Sequence, residues 1–349
     1  MISPFPDPKD CASLYYEAMA QAIDLLLNPG VSEESKGGFL ITLHERGETA
    51  EELAGFARIL LVKGGRVEIP NRDQSPLVEL CGTGGDKAGL LNISTAAMFV
   101  VAGAGARVVK HGNRAVSSRC GSADVLEALG ITLHLERERI PAILEEAGCV
   151  FLLASDFHPA VAAVGPLRRS LAAQGKTTIF NLLGPLLNPA LPEYQLTGVY
   201  RLEMLPQYAE AMRLLGRRNA WAVHGEGVNG TEGGGIDELT VTGSSLVVDT
   251  KAEHFQIHPE ELGLTLIQTD TELKGGDAVE NAARITEILS GREHGAAREM
   301  IVLNAGAALH IAGRMETLAE GITLACESID SGRALESLNK LRLASQPRG

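Results

Sequence analysis

A glycine-rich stretch in the first third of the chain carries residue types that bind phosphate. Residues 81–86 read CGTGGD and residues 92–95 read NIST. Glycines let the backbone turn its N–H groups toward a ligand, and a helix N-terminus favours anions. The pattern predicts a strand at 77–81 and a helix at 94–104, with the loop between them holding phosphate or pyrophosphate. A tight turn with a helix cap is the alternative, since the loop is neither a Walker A sequence nor GxGxxG.

A second stretch combines cations, hydroxyls and an amide. Residues 110–119 read KHGNRAVSSR, and residues 121–124 read GSAD. They follow the next predicted strand, at 107–110, so they are expected at the edge of the sheet where open α/β folds bind ligands. A solvated charged loop is the alternative, which the interleaved glycine and serines disfavour. The run predicts a local positive site in an acidic chain.

Two further pairs of charged residues are less specific. Asp237 and Glu238 are adjacent carboxylates, which can bind Mg²⁺ together with substrate phosphates, although they could equally lie on the surface. Arg168 and Arg169 precede the motif TIFNLLGPL. An arginine in a cleft suits bidentate recognition of a carboxylate, whereas an exposed helical pair would have no such role.

The elements that position these residues follow a change in pattern along the chain. Residues 11–65 read as helical, with a capping box at Thr49 and Glu52. From residue 77 onward, short apolar runs alternate with helical runs, which predicts a parallel sheet. Further elements are a strand at 131–135, a hairpin at 239–248 and amphipathic helices from Asp277. We predict a helical domain at 1–72, joined by a segment near 160–176, and an α/β domain at 73–349.

Composition limits the partners of the chain. Its 349 residues carry a formal net charge of −13, which disfavours nucleic acid as a main partner. The 5 cysteines are widely spaced without CxxC, as expected of free thiols in the cytoplasm. The first residues have no signal-peptide pattern, and no apolar run approaches a bilayer span of about 20 residues, so no membrane association is expected. The 39 glycines exceed the usual share of about 7%.

Seven motifs stand in the order found in one enzyme family. They are GTGGD, NIST, KHGNRAVSS, GSADVLEALG, HPA, TIFNLLGPLLNP and GIDE. Over residues 35–340 the chain therefore resembles the anthranilate phosphoribosyltransferases. The resemblance implies an N-terminal helical lobe and a larger α/β domain with a central, mainly parallel sheet, the architecture shared with nucleoside phosphorylases. It implies transfer of a phosphoribosyl group from phosphoribosyl pyrophosphate to the amino group of anthranilate, with Mg²⁺ as cofactor, in a cytoplasmic homodimer.

The resemblance also implies residue roles. Asp86 and Lys110 would act in catalysis. The contacts to phosphoribosyl pyrophosphate would be Gly82, Gly85, Asp86, Asn92, Ile93, Ser94, Thr95, Lys110, His111, Gly112, Asn113, Arg114, Ala115, Val116, Ser117, Ser118 and Ser122. Those to anthranilate would be Gly82, Asn113 and Arg168, and those to Mg²⁺ would be Ser94, Asp237 and Glu238.

Three departures from the family pattern accompany these matches. Leu90 stands where a threonine is usual. The chain between Arg168 and Asn181 is longer than the common form, with Thr177 where arginine is frequent, and residues 229–234 look inserted. They leave two alternatives: a paralogue with another aromatic amine or a nucleobase as acceptor, and a catalytically silent relative that binds nucleic acid. The acidic charge and the retained carboxylates and cations disfavour the second.

Overall fold

The computed structural model describes residues 4–10, 12–115, 119–228 and 235–347. The α-helices of these residues are α1 (Tyr16–Leu27), α2 (Glu33–Arg46), α3 (Ala50–Lys63), α4 (Ile93–Gly103), α5 (Ser122–Ala128), α6 (Ile140–Ala147), α7 (Ala154–Phe157), α8 (Pro159–Ala163), α9 (Gly165–Ala173), α10 (Phe180–Leu183), α11 (Leu205–Leu214), α12 (Ala278–Leu289), α13 (Ala296–Ile311), α14 (Leu318–Asp330) and α15 (Arg333–Ala344). The strands are β1 (Leu77–Gly82), β2 (Arg107–Gly112), β3 (Cys149–Leu153), β4 (Tyr194–Gly198), β5 (Asn219–Glu226), β6 (Gly235–Ile236), β7 (Ser245–Asp249) and β8 (His254–Ile257). Within this part of the chain, no helix is both long and apolar enough to cross a membrane.

One mainly parallel sheet forms the centre of the larger domain. Its strand order is β3-β2-β1-β4-β5-β7-β8, and β6 pairs with β5. The first five strands in this order run parallel, while β7, β8 and β6 add antiparallel pairs. The parallel strands are almost entirely buried, as expected of a sheet covered by helices. Their carboxyl ends lie side by side, so the loops after β1, β2 and β4 meet at one edge.

The ladder between β1 and β2 is short. These strands pair at Leu77 with Arg107 and at Val78 with Val108. In contrast, the β1–β4 ladder continues to Gly82, and the β2–β3 ladder continues to Gly112. The two strands therefore separate toward their carboxyl ends, and a gap opens between them below the two predicted phosphate loops.

The helical lobe has its own apolar core. Buried side chains of α1, α2 and α3 pack with those of α9, α10 and α11 in one cluster. The predicted capping box is confirmed, because Thr49 Oγ1 accepts from Glu52 N at 3.2 Å and Glu52 Oε2 accepts from Thr49 N at 3.0 Å. Glu52 is buried and also bonds Arg46 and Leu14 N, so one carboxylate joins three segments of the lobe.

The predicted fold class is confirmed, but two predicted elements are wrong. Residues 131–135 form no strand, because Thr132 N donates to Ser345 Oγ at 3.0 Å rather than to a neighbouring strand. The hairpin lies later than 239–248, formed by β7 and β8. Leu239 is held instead by Asn304, whose side chain bonds both its N–H and its carbonyl oxygen. The domain boundary at residues 72 and 73 stays a prediction.

Candidate active site at the carboxyl end of the central strands

The loop after β1 is fixed by its own backbone. Gly84 and Gly85 have φ angles of 70° and 92°, in the left-handed region that favours glycine. Thr83 N donates to Gly198 O at 2.9 Å, and Thr83 Oγ1 accepts from Tyr200 N at 3.1 Å. These bonds join the loop to the end of β4. The exposed glycines thus form a fixed turn at the sheet edge.

A second segment brings carboxylates to this loop. Asp237 Oδ2 accepts from Gly84 N at 2.6 Å, and Asp237 N donates to Asp86 Oδ2 at 3.4 Å. The approach is close, because a Cβ atom on Gly82 or Gly198 would collide with Asp237. Glu238 Oε1 accepts from Ser94 N at 3.2 Å, at the start of α4. The predicted metal residues Ser94, Asp237 and Glu238 are therefore brought together beside Asp86.

Asp237 and Glu238 hold their protons more tightly than free carboxyl groups. Burial raises the pKa of Asp237 well above its usual value, and the charges of Asp86 and Glu238 raise it further. Burial also raises the pKa of Glu238 to about 7, against the opposing charge of Lys110. Carboxylates crowded in this way favour a bound cation, and oxygen donors suit Mg²⁺.

The cluster does not form a metal cage by itself. Among the described residues, no group of three or more His, Cys, Asp or Glu side chains is placed to hold a metal ion. Mg²⁺ usually takes only one or two protein carboxylates and completes its shell with water and substrate phosphates. Asp237, Glu238 and the Ser94 hydroxyl fit that mode of binding.

Lys110 enters the site from β2. Its side chain is almost fully buried, and Nζ donates to Leu80 O at 2.6 Å and to Ser94 Oγ at 3.1 Å. Burial lowers its pKa, while the neighbouring carboxylates Glu238, Glu79 and Asp237 oppose this shift. The ammonium group is thereby held between β1 and the start of α4, where it can meet a phosphate.

His111 follows Lys110 but turns into the interior. Its ring meets that of His158 edge-on, with 5.2 Å between the ring centroids. Burial lowers the pKa of His111 to about 3, so the imidazole is neutral at physiological pH. Its side chain is therefore not a cation of the predicted positive site.

The loop after β2 is braced by a carboxylate. Asp124 Oδ2 accepts from Ala115 N and from Gly121 N, each at 2.9 Å. The exposed Arg114 pairs with Glu127, at 2.8 and 3.0 Å, and this partner raises the pKa of its guanidinium. Asn113 is exposed at the loop's start. The predicted contacts Val116, Ser117 and Ser118 lie outside the described residues.

Other predicted substrate contacts lie around the start of α4. Asn92 Nδ2 donates to Cys120 O at 3.3 Å, and its Oδ1 accepts from Asn281 Nδ2 at 3.0 Å. Ile93 and Thr95 are buried. Gly112 ends β2 beside Ser122, the first residue of α5, and Gly85 faces the ring of Tyr200.

Arg168 lies on α9, and its guanidinium contacts Phe180 rather than the phosphate loops. Its guanidinium packs over the Phe180 ring at 5.4 Å, and one terminal nitrogen donates to Phe180 O at 3.4 Å. Burial lowers its pKa, and no carboxylate among the described residues forms an ion pair with it. No hydrogen bond between described residues joins it to Gly82 or Asn113. The structure therefore shows a half-buried guanidinium whose charge is not neutralised by the described chain.

Comparison with known proteins gives this site a family. Residues 74–335 match the "Glycosyl transferase family, a/b domain", and residues 10–64 match the "Glycosyl transferase family, helical bundle domain". Over 329 residues the chain is 44% identical to the anthranilate phosphoribosyltransferase of Roseiflexus castenholzii, covering 93% of this chain and 92% of that protein. Identity to that of Rubrobacter xylanophilus is 44% over 323 residues, covering 92% and 90%.

The chain belongs to the anthranilate phosphoribosyltransferase family. Solved structures of this family agree with the fold. The anthranilate phosphoribosyltransferase of Thermus thermophilus superposes with a TM-score of 0.88 at 39% identity, covering 98% of this chain and 100% of that one. The Saccharomyces cerevisiae enzyme, solved in complex with PRPP and Mg, superposes with a TM-score of 0.84 at 28% identity, covering 95% and 92%.

The roles of several residues around this candidate site were not identified from the sequence. Glu79 is a fully buried carboxylate within β1, and a charge inside an apolar strand was a signal that could have been used. Asp124, at the third position of α5, could have been recognised as a cap for the preceding loop. The roles of Gly198 and Tyr200 depend on contacts between distant segments, for which the sequence pattern holds no signal.

Proposed function

We propose that this chain transfers the phosphoribosyl group of phosphoribosyl pyrophosphate to the amino group of anthranilate, releasing pyrophosphate, in tryptophan biosynthesis. One observation carries the proposal beyond family membership. The glycine loop after β1, the carboxylates Asp237 and Glu238, and the ammonium group of Lys110 converge at one edge of the sheet. Backbone donors, a cation and a candidate Mg²⁺ site together suit a pyrophosphate leaving group.

The pyrophosphate end is assigned to the loop after β1. Gly82 ends β1, Gly85 and Asp86 lie in the loop that follows it, and Asn92 to Thr95 lie at the start of α4. Lys110 would stabilise the negative charge that develops as the bond between ribose and pyrophosphate breaks. Ser94, Asp237 and Glu238 would hold Mg²⁺, which neutralises phosphate charge when it is bound.

The phosphoribosyl end is assigned to the loop after β2. The assigned residues are 110–118, which run from the end of β2 into this loop, and Ser122. Asp124 fixes both ends of the described part of this loop, at Ala115 and Gly121. A loop held in this way can present backbone donors to a phosphate without a large ordering cost.

Anthranilate is assigned to the side of the cleft that carries Arg168, with Gly82 and Asn113. A guanidinium that is half-buried and unpaired with a described carboxylate suits the carboxylate of the acceptor. The aromatic amine is neutral at physiological pH, so its nitrogen can attack the ribose carbon directly. A C–N bond forms, the C–O bond to pyrophosphate breaks, and the nitrogen then loses a proton. Positioning of the two substrates supplies much of the rate.

We further propose a homodimer in the cytoplasm. Tyr15, Tyr16 and Val62, here called the lobe patch, expose 69%, 47% and 72% of their surface on adjoining parts of α1 and α3. Large apolar side chains that are exposed together favour association with a second copy. No disulfide joins the described cysteines Cys81, Cys120, Cys149 and Cys326, as is usual in a reducing compartment.

The test is a transfer assay on the purified protein. Anthranilate, phosphoribosyl pyrophosphate and Mg²⁺ are mixed with it, and loss of anthranilate fluorescence is followed together with release of pyrophosphate. Parallel reactions contain other aromatic amines or nucleobases as acceptors, and EDTA replaces Mg²⁺ in a further reaction. We expect turnover with anthranilate that EDTA abolishes. A folded sample that consumes no anthranilate, or that prefers another acceptor, contradicts the proposal.

A further inference from the structure

The gap between β1 and β2 is bridged by side chains in place of a backbone ladder. Backbone groups alternate in direction along a strand. Since Val108 N donates to Gly148 O on the β3 side, Val109 and His111 turn their groups toward β1. His111 N donates to Glu79 Oε1 at 3.0 Å, and Val109 O accepts from Asn188 Nδ2 at 2.8 Å.

The backbone of β1, on the opposite side of the gap, is hydrogen-bonded by a side chain in the same way. Leu80 O, on β1, accepts from Lys110 Nζ at 2.6 Å. Glu79 and Asn188 are fully buried, and Lys110 is 2% exposed, so water does not replace these bonds. Each strand therefore keeps its hydrogen bonds only while the side chains remain between the two strands.

Glu79 is the least replaceable of these bridges. It lies on β1 itself, and its carboxylate accepts the hydrogen bond from His111 N. Without an acceptor at residue 79, a buried N–H group would lose its bond, or the two strands would close on each other. Closure would move Lys110 and the end of β2, at Gly112, toward the glycine loop.

We propose that Glu79 is a positioning residue for phosphoribosyl pyrophosphate. It holds the carboxyl end of β2 at a fixed distance from β1, so that Lys110 and Asn113, where the loop after β2 begins, keep the distance from the glycine loop that the substrate needs. The effect passes through the His111 backbone and does not require contact between Glu79 and the substrate. This inference rests on the proposed function.

Two substitutions separate the effect of the hydrogen-bond acceptor at residue 79 from the effect of side-chain volume. Glu79→Gln keeps an oxygen that can accept from His111 N, whereas Glu79→Met fills a similar volume without one. Binding of phosphoribosyl pyrophosphate with Mg²⁺ is measured by calorimetry, and KM for each substrate by the transfer assay. We expect Glu79→Gln to bind within about threefold of wild type and Glu79→Met to bind at least about tenfold more weakly. KM for anthranilate is expected to stay unchanged in both.

The matched control is the buried carboxylate of the helical lobe. Glu52 is also fully buried and also accepts from a backbone N–H group, that of Leu14, at 2.7 Å. Glu52→Met is expected to lower the unfolding midpoint without changing the affinity for phosphoribosyl pyrophosphate. If Glu52→Met and Glu79→Met lose affinity equally, Glu79 has only a structural role and the inference is wrong.

Hydrogen exchange supplies a readout that needs no turnover. The His111 amide is expected to exchange faster in Glu79→Met than in wild type, and to stay protected in Glu79→Gln. If Glu79→Met folds too poorly, Glu79→Leu takes its place in both measurements. Equal affinity of wild type and the variant without an acceptor overturns this inference alone. Wild-type protein that binds no phosphoribosyl pyrophosphate overturns the proposed function as well.

Discussion

At the scale of single residues, the buried carboxyl group of Glu79 links stability to pH. Burial raises its pKa to about 7, against the opposing effects of Asn188, Arg217, the His111 backbone and Lys110. Other ionisable groups that face this part of the sheet are Cys81 and Tyr208. The folded chain therefore holds this proton more tightly than the unfolded chain, whose carboxyl group has its ordinary pKa.

This difference fixes the sign of a pH effect. A pKa that is higher in the folded state contributes stability at low pH, and that contribution is lost as pH rises from about 4.5 to about 7. Glu79→Gln has no such loss. We expect the free energy of unfolding of Glu79→Gln to rise relative to that of wild type over this range, by up to about 3 kcal/mol. Above this range the difference between the two proteins is expected to stay constant. Urea unfolding at several pH values measures this difference in free energy, with Glu51→Gln, at an exposed position, as the baseline. A difference in free energy of unfolding that is constant with pH contradicts the raised pKa of Glu79.

Arg168 carries the prediction about the acceptor. Its guanidinium is assigned to the anthranilate carboxylate, and a charged hydrogen bond of this kind contributes about 1.5–3 kcal/mol. Arg168→Ala is therefore expected to raise KM for anthranilate about 10- to 100-fold while KM for phosphoribosyl pyrophosphate stays near wild type. Arg169→Ala is the matched control, since Arg169 is its exposed neighbour on α9. An unchanged KM for anthranilate in Arg168→Ala would refute the assignment.

At the scale of elements, the site depends on how closely the end of β4 approaches the segment with the metal carboxylates. A Cβ atom on Gly198 would overlap the Asp237 backbone. Gly198→Ala must therefore displace Asp237 and Glu238, at a cost of about 1–3 kcal/mol in stability. We expect the Mg²⁺ concentration for half-maximal activity to rise about tenfold.

The control for this substitution is Gly38→Ala. A Cβ atom on Gly38 meets nothing within 4 Å, and this glycine lies inside α2, where alanine is favoured. Gly38→Ala is expected to raise stability, by up to about 1 kcal/mol, and to leave the Mg²⁺ requirement near wild type. If Gly198→Ala behaves in the same way in a Mg²⁺ titration of the transfer assay, the close approach has no part in placing the carboxylates.

Elements were predictable from the sequence where local pattern and tertiary packing agree. The apolar run of β1 and the capping box of α3 depend on neighbouring residues, so both were found. The absent strand at 131–135 and the later hairpin depend on Ser345 and Asn304, which lie far along the chain. One local feature of the sequence, Glu79 within an apolar strand, indicated the separation of β1 from β2. The role of Glu79 could not be predicted without the position of His111.

At the scale of the whole molecule, the acidic charge and the phosphate chemistry are compatible because the positive charge is local. The chain carries a net charge of −13, yet the ammonium group of Lys110 lies at the sheet edge, bonded to Ser94 at the start of α4. Two cations of the predicted positive run do not add free charge there. Arg114 pairs with Glu127, and His111 is neutral. The charge that a phosphate meets is therefore set by fewer side chains than the motif contains.

The lobe patch carries the prediction about assembly. Val62 exposes 72% of its surface on α3, and Leu343, on α15, exposes the same fraction. If the patch is the dimer interface, Val62→Glu buries a charge between two copies and separates them, whereas Leu343→Glu leaves the dimer intact. Light scattering with size-exclusion chromatography, at micromolar concentration, gives the mass of each variant, and circular dichroism checks that both are folded. Because all the site residues proposed above come from one chain, a folded Val62→Glu monomer should retain transfer activity. A dimer that survives Val62→Glu but dissociates in Leu343→Glu would place the interface on α15 instead.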